Sequence, residues 1–433
     1  MPALTVSSSI VGTTMGRTFS AVPYTYLKRG VYYFVICLIL GLQTSLVSAA
    51  NWNQKPISEG EVYDYGSWSI PEEASPKPNL ATLRFYLKRY LSDKDNYLTY
   101  ESQKSDSPRP LIFNPSPNSL VTEKLSKTAL FSYILVEDGE IKIDALSPEN
   151  RFGDLVDNDT PLYSMSVGKS MVSYVLGHAI CSGLVESVDE KLTNWPLIKD
   201  TLYEGQPLLN LLNARAGDQN YVAYSQLKKS NLNVNSQTLE TLINTDLRGS
   251  KPSTPKFNYG GLPTNVILNY LIHKTNGNFN ELMNSVFTKH VKTESPVLFV
   301  KNMGQRWQGL GNFIFYAKRY DYVRIAKTMI EDWKNDSCVG RYLKTIYDKR
   351  QSKVDGTDSR HRFWFGRSYG GFFHMDFPGM TNRPIFAMDG YGGQLIWIDF
   401  ETGRTVYTQA VHDDFGWRKM VYDVMRKGSR SLD

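Results

Sequence analysis

The chain has 433 residues, of which 41% are hydrophobic and 21% are charged. These fractions are those of a folded globular protein and exclude an intrinsically disordered chain, and the length allows a large core and two or three domains. The formal net charge is +6 and the basic residues are scattered along the chain, so we expect no nucleic-acid partner.

The N-terminus has the pattern of a secretory signal. Lys28 and Arg29 precede the apolar run 30–42, and small residues follow up to Ala49 and Ala50. A basic region, an apolar stretch and a small-X-small site predict a signal peptide that is cleaved near Ala49 or Ala50.

An uncleaved anchor is the alternative for residues 1–50, because the segment 30–49 could hold the chain in a membrane. Only in that case do we expect membrane association. A cleaved signal predicts an exported protein, periplasmic or secreted, whereas an uncleaved segment predicts a protein that residues 30–49 anchor in the membrane.

Residues 51–125 are rich in Pro, Ser, Asn and charged residues and contain one amphipathic helix, predicted over 79–91. Turn-forming residues at both ends of the segment predict loops there. We interpret the segment as an N-terminal extension that wraps a main domain at residues 126–433.

The main domain opens with a predicted β-hairpin and a long helix. Two β-rich runs within 129–145 are separated by Asp138 and Gly139, a pair that favours a two-residue hairpin turn. A helix is predicted from near Ser166 to about Ser182, because apolar residues recur with the spacing of one helix face. These apolar residues are Met171, Val172, Val175, Leu176 and Ile180.

The start of that helix carries the first chemical signal. Ser166 and Lys169 are three residues apart, so the hydroxyl and the amine lie on the same side of the helix. A buried lysine with a lowered pKa can take the proton of a serine, and the N–H groups of a helix start favour negative charge that develops there. The pair is a candidate nucleophile and base; the alternative is a helix-capping serine followed by a surface lysine.

The middle of the chain is predicted to be mostly helical. The predicted helices cover 207–216, 238–244, 264–275 and 320–333. Tyr259 comes before the third of these helices and is followed by Gly260 and Gly261, so it lies on a tight turn that can present its side chain to a cleft. There it can share a proton with Lys169. The alternative is an ordinary packing tyrosine.

The C-terminal part is predicted to return to strands. We expect strands over 362–373, 385–400 and 405–411, and a closing helix over 416–426. Strands at the two ends of the domain are not stable alone, so they are expected to pair in one antiparallel sheet covered by the first and last helices. This is an α/β architecture of the α+β kind, with a second, helical lobe and a cleft between the two.

A glycine-rich stretch, Asp389-Gly390-Tyr391-Gly392-Gly393-Gln394, is the third segment with a chemical reason to line that cleft. Its glycines allow a strand edge to approach a bound carbonyl closely, so that the backbone N–H of Tyr391 joins that of Ser166 in an oxyanion hole. The alternative is a simple bulge in a strand.

The cysteines and histidines predict no metal site. Cys37 belongs to the predicted signal, whereas Cys181 and Cys338 remain in an oxidising compartment. Cys181 falls on the apolar helix, which favours a buried free thiol; a disulfide with Cys338 is the alternative. The six histidines are dispersed, and there is no CxxC, so we expect no zinc.

In their order and spacing, these segments resemble the serine β-lactamase and penicillin-binding protein superfamily, and within it the class C, esterase and 6-aminohexanoate-dimer hydrolase branch. Ser166 to Lys169 resembles the Ser-X-X-Lys motif of the family, and Tyr259-Gly260-Gly261 resembles its second motif. Met388-Asp389-Gly390 stands where the third motif is expected. The resemblance covers roughly residues 125–427.

The resemblance implies a β-lactamase/transpeptidase-like fold, in which N- and C-terminal helices flank an antiparallel sheet and a mostly helical lobe completes the cleft. It also implies an acyl-enzyme mechanism without metal or cofactor. In that mechanism Ser166 attacks, Lys169 and Tyr259 relay protons, and the N–H groups of Ser166 and Tyr391 bind the oxyanion.

Four residues are implied to bind the substrate. Asp389, Gly390 and Gly392 belong to the third motif and the turn after it. Tyr221 is similar in position to a loop tyrosine that contacts the scissile amide in the amidase members of the family.

The chain departs from the family in two places. No Asn lies two residues after Tyr259, and Met388 replaces the cation that grips a substrate carboxylate in relatives. We therefore expect an exported serine hydrolase, a carboxylesterase or an amidase, with a small-molecule ester or amide as its substrate. A catalytically silent ligand-binding protein on the same scaffold is one alternative, and a DD-peptidase or β-lactamase is another.

Overall fold

In the computed structural model of the protein, the described residues are 99–153, 155–220, 247–301, 310–356, 366–411 and 416–432, with Leu83, Leu87 and Leu239. The predicted signal peptide or anchor lies outside them. So do the predicted helices over 79–91 and 238–244, apart from these three leucines, which are helical. Within the described part of the chain, no helix is both long enough and apolar enough to cross a lipid bilayer.

The strands contribute to two sheets. In chain order they are β1 (Thr99–Glu101), β2 (Ile112–Phe113), β3 (Leu130–Glu137), β4 (Glu140–Leu146), β5 (Leu162–Tyr163), β6 (Leu298–Lys301), β7 (Gly311–Ala317), β8 (Gln351–Ser352), β9 (Ser368–Gly370), β10 (Phe373–Met375), β11 (Ile385–Gly390), β12 (Gln394–Asp399) and β13 (Thr405–Ala410).

The helices lie between and beyond these strands. In chain order they are α1 (Ser119–Lys127), α2 (Val167–Cys181), α3 (Leu208–Leu212), α4 (Leu262–Lys274), α5 (Phe279–Met283), α6 (Arg319–Lys334), α7 (Cys338–Asp348) and α8 (Arg418–Lys427). Shorter π or 3₁₀ segments cover Glu149–Gly153, Pro196–Ile198, Asn284–Val291 and Ser429–Leu432.

The larger sheet joins the two ends of the domain. Its strand order is β2-β4-β3-β13-β12-β11-β10-β9-β8, and its neighbours are antiparallel except for β2 and β4. The C-terminal β13 pairs with β3, with Thr405 opposite Val136. The sheet predicted from the sequence is therefore confirmed, as is the β3–β4 hairpin, whose turn residues Asp138 and Gly139 have the positive φ angles of 54° and 79° that such a turn requires.

Helices cover both faces of this sheet. Trp397 on β12 contacts Tyr422 of α8, whereas Phe386 on β11 contacts Trp333 of α6. Trp397 lies opposite Ala387 in the register, and side chains alternate along a strand, so Phe386 points to the other face. The closing helix and the central helices thus bury opposite sides of the sheet.

The prediction of a single strand over 385–400 is wrong, because this segment forms two strands, β11 and β12. The chain turns between β11 and β12, where Gly392 and Gly393 have φ angles of 85° and 103°. In the described part of the predicted strand over 362–373, a second turn, at Gly371 and Phe372, separates β9 from β10. Both stretches are hairpins because local glycine geometry reverses the chain within an apolar run.

Two further expectations need correction. The middle of the chain is not only helical, since β6 and β7 form a four-stranded sheet with β1 and β5, in the order β1-β6-β7-β5. The helix predicted over 207–216 is limited to α3, because Ala214 has a left-handed φ of 52° that ends it.

Helix α2 is the central helix of the molecule. Its residues are buried on nearly every side, and it packs against β7, α4, α7 and β11. Such a helix must be apolar all round, which explains the dense apolar sequence after Ser166. The start of α2 therefore lies where the main sheet and the smaller sheet approach each other.

A disulfide fastens the other end of α2. Cys181, the last residue of α2, is bonded to Cys338, the first residue of α7, with 5.8 Å between their Cα atoms. The predicted free thiol at Cys181 is therefore wrong. The two cysteines are 157 residues apart, and only the packing of α7 on α2 brings them together.

We expect reduction of this disulfide to lower the free energy of unfolding by about 2–5 kcal/mol, because the bond closes a long loop in the unfolded chain. The measurement is urea unfolding of the full chain with and without dithiothreitol. The double variant C181S/C338S is the control and should not respond to the reductant. Free thiols at both positions in a non-reducing peptide map of the native protein would contradict the pairing.

Candidate active site

The backbone before α2 holds Ser166 in a fixed position. Ser164 pairs with β7, since its N–H donates to the Phe315 carbonyl at 2.9 Å and its Oγ accepts from the Phe315 N–H at 2.9 Å. Met165 then adopts a φ of 46°, an unfavourable conformation for a residue with a side chain. Ser166 follows as the residue that caps α2. The N-terminus of α2 therefore carries the candidate nucleophile on a strained, tightly held turn.

Lys169 lies beside this serine in an apolar environment. Its Nζ is 2.8 Å from Oγ of Ser166, and the side chain is almost fully buried. The rings of Tyr259 and Phe313 enclose the amine, with centroids 4.4 and 4.5 Å from Nζ. Burial lowers the pKa of Lys169 to about 7, against the opposing attraction of Asp389. Much of the amine is thus neutral near pH 7 and able to accept a proton.

Tyr259 completes a group of three polar side chains. Its hydroxyl is 3.3 Å from Nζ of Lys169, so that amine lies within reach of both hydroxyls. The preceding residue, Asn258, donates to Asp218 at 2.7 Å, and Tyr203 donates to the same carboxylate at 2.8 Å. These buried contacts fasten the Tyr259 turn to the rest of the lobe. The structure therefore brings together residues that are 90 positions apart in the chain.

The end of β11 lies against the same turn. A Cβ at Gly390 would lie 2.7 Å from the Ser164 carbonyl oxygen and 3.0 Å from Cβ of Met165, so only glycine fits. This close approach places the next residue, Tyr391, alongside the segment that carries Ser166. The Tyr391 side chain is 47% exposed, and Gly392 forms the turn into β12.

The two residues before Gly390 point to opposite faces of the sheet. Met388 is fully buried and offers no charge to a substrate. Asp389 is partly exposed, and its Oδ1 accepts from Nη2 of Arg418 at 3.0 Å. The carboxylate is therefore held by an ion pair with α8. Its negative charge raises the pKa of Lys169, which opposes the effect of burial.

A cavity of about 480 Å³ lies next to this ion pair. Its walls include the rings of Phe377, Trp397 and Tyr422, together with Arg418 and Leu395, which pairs with Asp389 in the sheet. A volume of this size and a largely apolar lining suit a small organic molecule.

Some residues near Tyr259 were missed by the sequence analysis. The Tyr369 and His374 rings lie 5.9 and 6.0 Å from the Tyr259 ring, and Nζ of Lys353 lies 3.3 Å from Nδ1 of His374. Lys353 stands in a polar Ser-Lys-Val-Asp stretch that is typical of a surface loop, and His374 stands in an aromatic strand. Neither pattern carries a signal for a site, because only the pairing of β8, β9 and β10 brings these residues together.

Two other expectations concern this site. Tyr221, the proposed amide-contacting tyrosine, lies outside the described residues. Among the residues that are described, no three His, Cys, Asp or Glu side chains converge on a position for a metal ion.

We expect Gly168→Ala to lower the free energy of unfolding by about 1–3 kcal/mol, because overpacking would force α2 away from β7. The new Cβ would lie 1.9 Å from the Phe313 carbonyl oxygen. Urea unfolding measures the effect. Gly260→Ala is the matched control, since a Cβ there has no neighbour within 4 Å. A Gly168→Ala protein as stable as the wild type would show that α2 and β7 leave room for a methyl group at this position.

No protein-family model matches the chain, and no curated protein sequence matches it. Solved structures do match. A Bacillus anthracis protein assigned as a 6-aminohexanoate-dimer hydrolase has a TM-score of 0.55 and 11% identity, with 82% of this chain and 98% of the other covered. A protein from Bacteroides dorei DSM 17855 assigned as a β-lactamase has a TM-score of 0.51 and 17% identity, with coverage of 67% and 89%.

The D-amino acid amidase from Ochrobactrum anthropi SV3 has a TM-score of 0.50 and 13% identity, with coverage of 72% and 97%. At such identities the likeness concerns the fold. The matches span nearly the whole length of the solved chains, so the agreement is not limited to one motif. The protein therefore has a β-lactamase/transpeptidase-like fold.

Proposed function

We propose that the protein is a serine hydrolase that cleaves an ester or amide bond through an acyl-enzyme on Ser166. One observation carries the proposal: the buried amine of Lys169 lies 2.8 Å from Oγ of Ser166 at the start of a helix. Burial of an amine costs free energy, so a lysine in this position suggests a role that needs its lowered pKa. The names of the solved relatives, a hydrolase, an amidase and a β-lactamase, support the same chemistry.

Acylation begins with the neutral amine of Lys169. As Oγ of Ser166 attacks the carbonyl carbon of the substrate, its proton passes to Nζ of Lys169. The carbonyl electron pair moves onto oxygen, and the oxyanion accepts from the backbone N–H groups of Ser166 and Tyr391. The N-terminus of α2 adds favourable electrostatics at this point.

Collapse of the intermediate releases the alcohol or amine. Tyr259 donates a proton to the leaving group and recovers one from the ammonium of Lys169, which lies 3.3 Å away. Water then attacks the ester on Ser166, and its proton passes to the Tyr259–Lys169 pair. When the acyl–oxygen bond breaks, Ser166 regains its proton and the carboxylic acid leaves.

The substrate is proposed to be a small-molecule amide or ester. The solved relatives include a D-amino acid amidase and a 6-aminohexanoate-dimer hydrolase, both named for amide substrates. Asp389, Gly390 and Gly392 are proposed to line the binding site, and Tyr221 to contact the scissile amide. Because Met388 is fully buried, the third motif offers no cation for the carboxylate of a β-lactam or a DD-peptidase substrate.

Export is part of the proposal. The Cys181–Cys338 disulfide supports an oxidising compartment, since disulfides are rare in most cytosolic proteins. The basic and apolar pattern of residues 28–50 supports the same location, with a cleaved signal or an anchor over 30–49.

A ligand-binding protein without catalysis is the second candidate. It would use the same cleft and turn over no substrate. The contact between Lys169 and Ser166 argues against it, because binding alone does not require a buried amine beside a hydroxyl.

We expect a fluorophosphonate probe to form a single adduct on Ser166. Intact-mass spectrometry and peptide mapping of the full chain measure the adduct. Ser166→Ala should abolish labelling and lower ester hydrolysis by several orders of magnitude, and Lys169→Ala should do nearly the same. The mass also shows whether residues up to Ala49 or Ala50 have been removed.

Ser182→Ala is the matched control, because Ser182 follows the far end of the same helix and its Oγ donates to the Ala179 carbonyl. This variant should label normally. A folded wild-type protein that forms no adduct and hydrolyses neither a chromogenic ester nor a chromogenic β-lactam would favour the ligand-binding protein.

We expect kcat/KM for a chromogenic ester to rise with pH up to about 7 and then to level off. Below the pKa of about 7, Lys169 is an ammonium and cannot accept the Ser166 proton, so activity falls about tenfold for each pH unit. The profile is measured from about pH 5 to about pH 9. A profile that is flat through pH 7 would exclude Lys169 as the base.

A further inference from the structure

The cavity of about 480 Å³ between the main sheet and α8 has no part in the chemistry proposed above. Its walls come from β12, from α8 and from the chain at 366–367 and 377–378, on either side of the β9–β10 hairpin. A cavity of this volume can enclose a small organic molecule. The side chains on its walls indicate which kind of molecule that is.

Strand β11 separates this cavity from the nucleophile. Leu395 lines the cavity and lies opposite Asp389 in the register, so the two side chains point to the same face of the sheet. Gly390 belongs to the other face, where a Cβ would lie 2.7 Å from the Ser164 carbonyl oxygen. Because Ser164 immediately precedes the turn that carries Ser166, the cavity and the nucleophile lie on opposite faces of β11.

Three aromatic rings form the apolar part of the wall. The centroids of the Phe377 and Trp397 rings are 4.2 Å apart, with 34° between the ring planes. The Tyr422 ring lies edge-on to Trp397, at 6.3 Å and 78°. The Tyr422 hydroxyl donates to the Pro378 carbonyl, which fixes the position of that ring. Offset and edge-on contacts of this kind suit a further aromatic ring, so the apolar wall favours an aromatic ligand.

The polar part of the wall is basic. Arg367, Arg418 and Lys419 line the cavity, and none of the described residues that line it is acidic. Arg418 and Lys419 are also the first two residues of α8, a helix of 10 residues whose N-terminus favours negative charge. A cationic ligand would meet only like charges on this wall. The charge pattern therefore favours an anion.

The three basic residues differ in how they are held. Arg418 donates to Asp389 at 3.0 Å in a half-buried ion pair, which fixes its guanidinium. Lys419 pairs with Asp423 one turn along α8, but its side chain is exposed, and an exposed pair of this kind contributes little stability. Arg367 is exposed at the start of the β9 hairpin. Its planar guanidinium matches the two oxygens of a carboxylate, which makes it the residue best suited to bind one.

We propose that this cavity is a second ligand site, separate from the Ser166 cleft, and that it binds a small aromatic carboxylate. The aromatic ring of the ligand packs against Phe377, Trp397 and Tyr422, and its carboxylate accepts from Arg367. This inference goes beyond the proposed function and does not depend on it, because no step of the hydrolysis involves the cavity.

Photolabelling of the full chain tests the site. The probe is 4-benzoylbenzoate, a benzophenone with one carboxylate, and peptide mapping locates the label. We expect saturable labelling within 377–378, 395–397 or 418–422, and competition by 4-phenylbutyrate. The neutral 4-benzoylbenzamide is the matched probe and should need about a tenfold higher concentration, because it lacks the charge that the arginine binds. Label confined to peptides with Ser166 or Tyr259, or equal labelling by acid and amide, would overturn the proposal.

Arg367→Met tests the position of the carboxylate. The variant should need about a tenfold higher concentration of 4-benzoylbenzoate for half-maximal labelling, with little change for the amide. Arg341→Met is the matched control, because Arg341 is an exposed arginine of α7 that pairs with Asp336, and its labelling should stay at the wild-type level. Unchanged labelling of a folded Arg367→Met protein would contradict the proposed contact. Thermal unfolding shows whether each variant is folded, and the comparison of acid and amide on the wild type decides the ligand class without any variant.

A fluorophosphonate adduct separates this inference from the proposed function. Protein that carries the adduct on Ser166 should bind 4-benzoylbenzoate as well as untreated protein does, since the two sites lie on opposite faces of β11. Loss of photolabelling in the adduct would show that the cavity is not a separate site and would overturn the proposal. A wild-type protein that forms no adduct but is photolabelled at the cavity would contradict the proposed hydrolase and support the second site.

Discussion

The burial of one amine constrains the rest of this structure. Lys169 lies under the start of α2, between the rings of Tyr259 and Phe313, where an ammonium ion is poorly solvated. Such a position is useful only if the neighbouring hydroxyls stay within hydrogen-bonding distance, because a shift of 1 Å would leave a buried polar group without its partners. The surrounding structure accordingly fixes each of the three groups by separate contacts.

The contacts that hold Ser166, Lys169 and Tyr259 in place come from different parts of the fold. Ser164 bonds to β7 and sets the start of α2, while Asn258 and Asp218 hold the Tyr259 turn in the helical lobe. The end of β11 approaches the same place because Gly390 has no side chain. At the far end of α2, the disulfide to α7 prevents the helix from sliding. The site is thus the meeting point of elements that are each rigid on their own.

The register of β11 decides which side chains the site can use. Side chains alternate along the strand, so Met388 enters the core while Asp389 faces outward to Arg418. A shift of one residue would exchange them and place a carboxylate in the apolar core. The third motif therefore contributes backbone and a paired acid to the site.

Local patterns in the sequence were enough to predict several helices and turns of this protein and two of its candidate catalytic residues. The stacking of Ser166 and Lys169, the apolar α2, the Asp138–Gly139 hairpin and the turn that carries Tyr259 all depend on residues within a few positions of one another, and helix and turn geometry fixes those relations. Long-range pairing could not be predicted in the same way. The disulfide between Cys181 and Cys338 and the second sheet depend on which distant segments meet. Only the tertiary structure decided them, because burial and strand pairing act between residues whose separation along the chain carries no information about their distance in space.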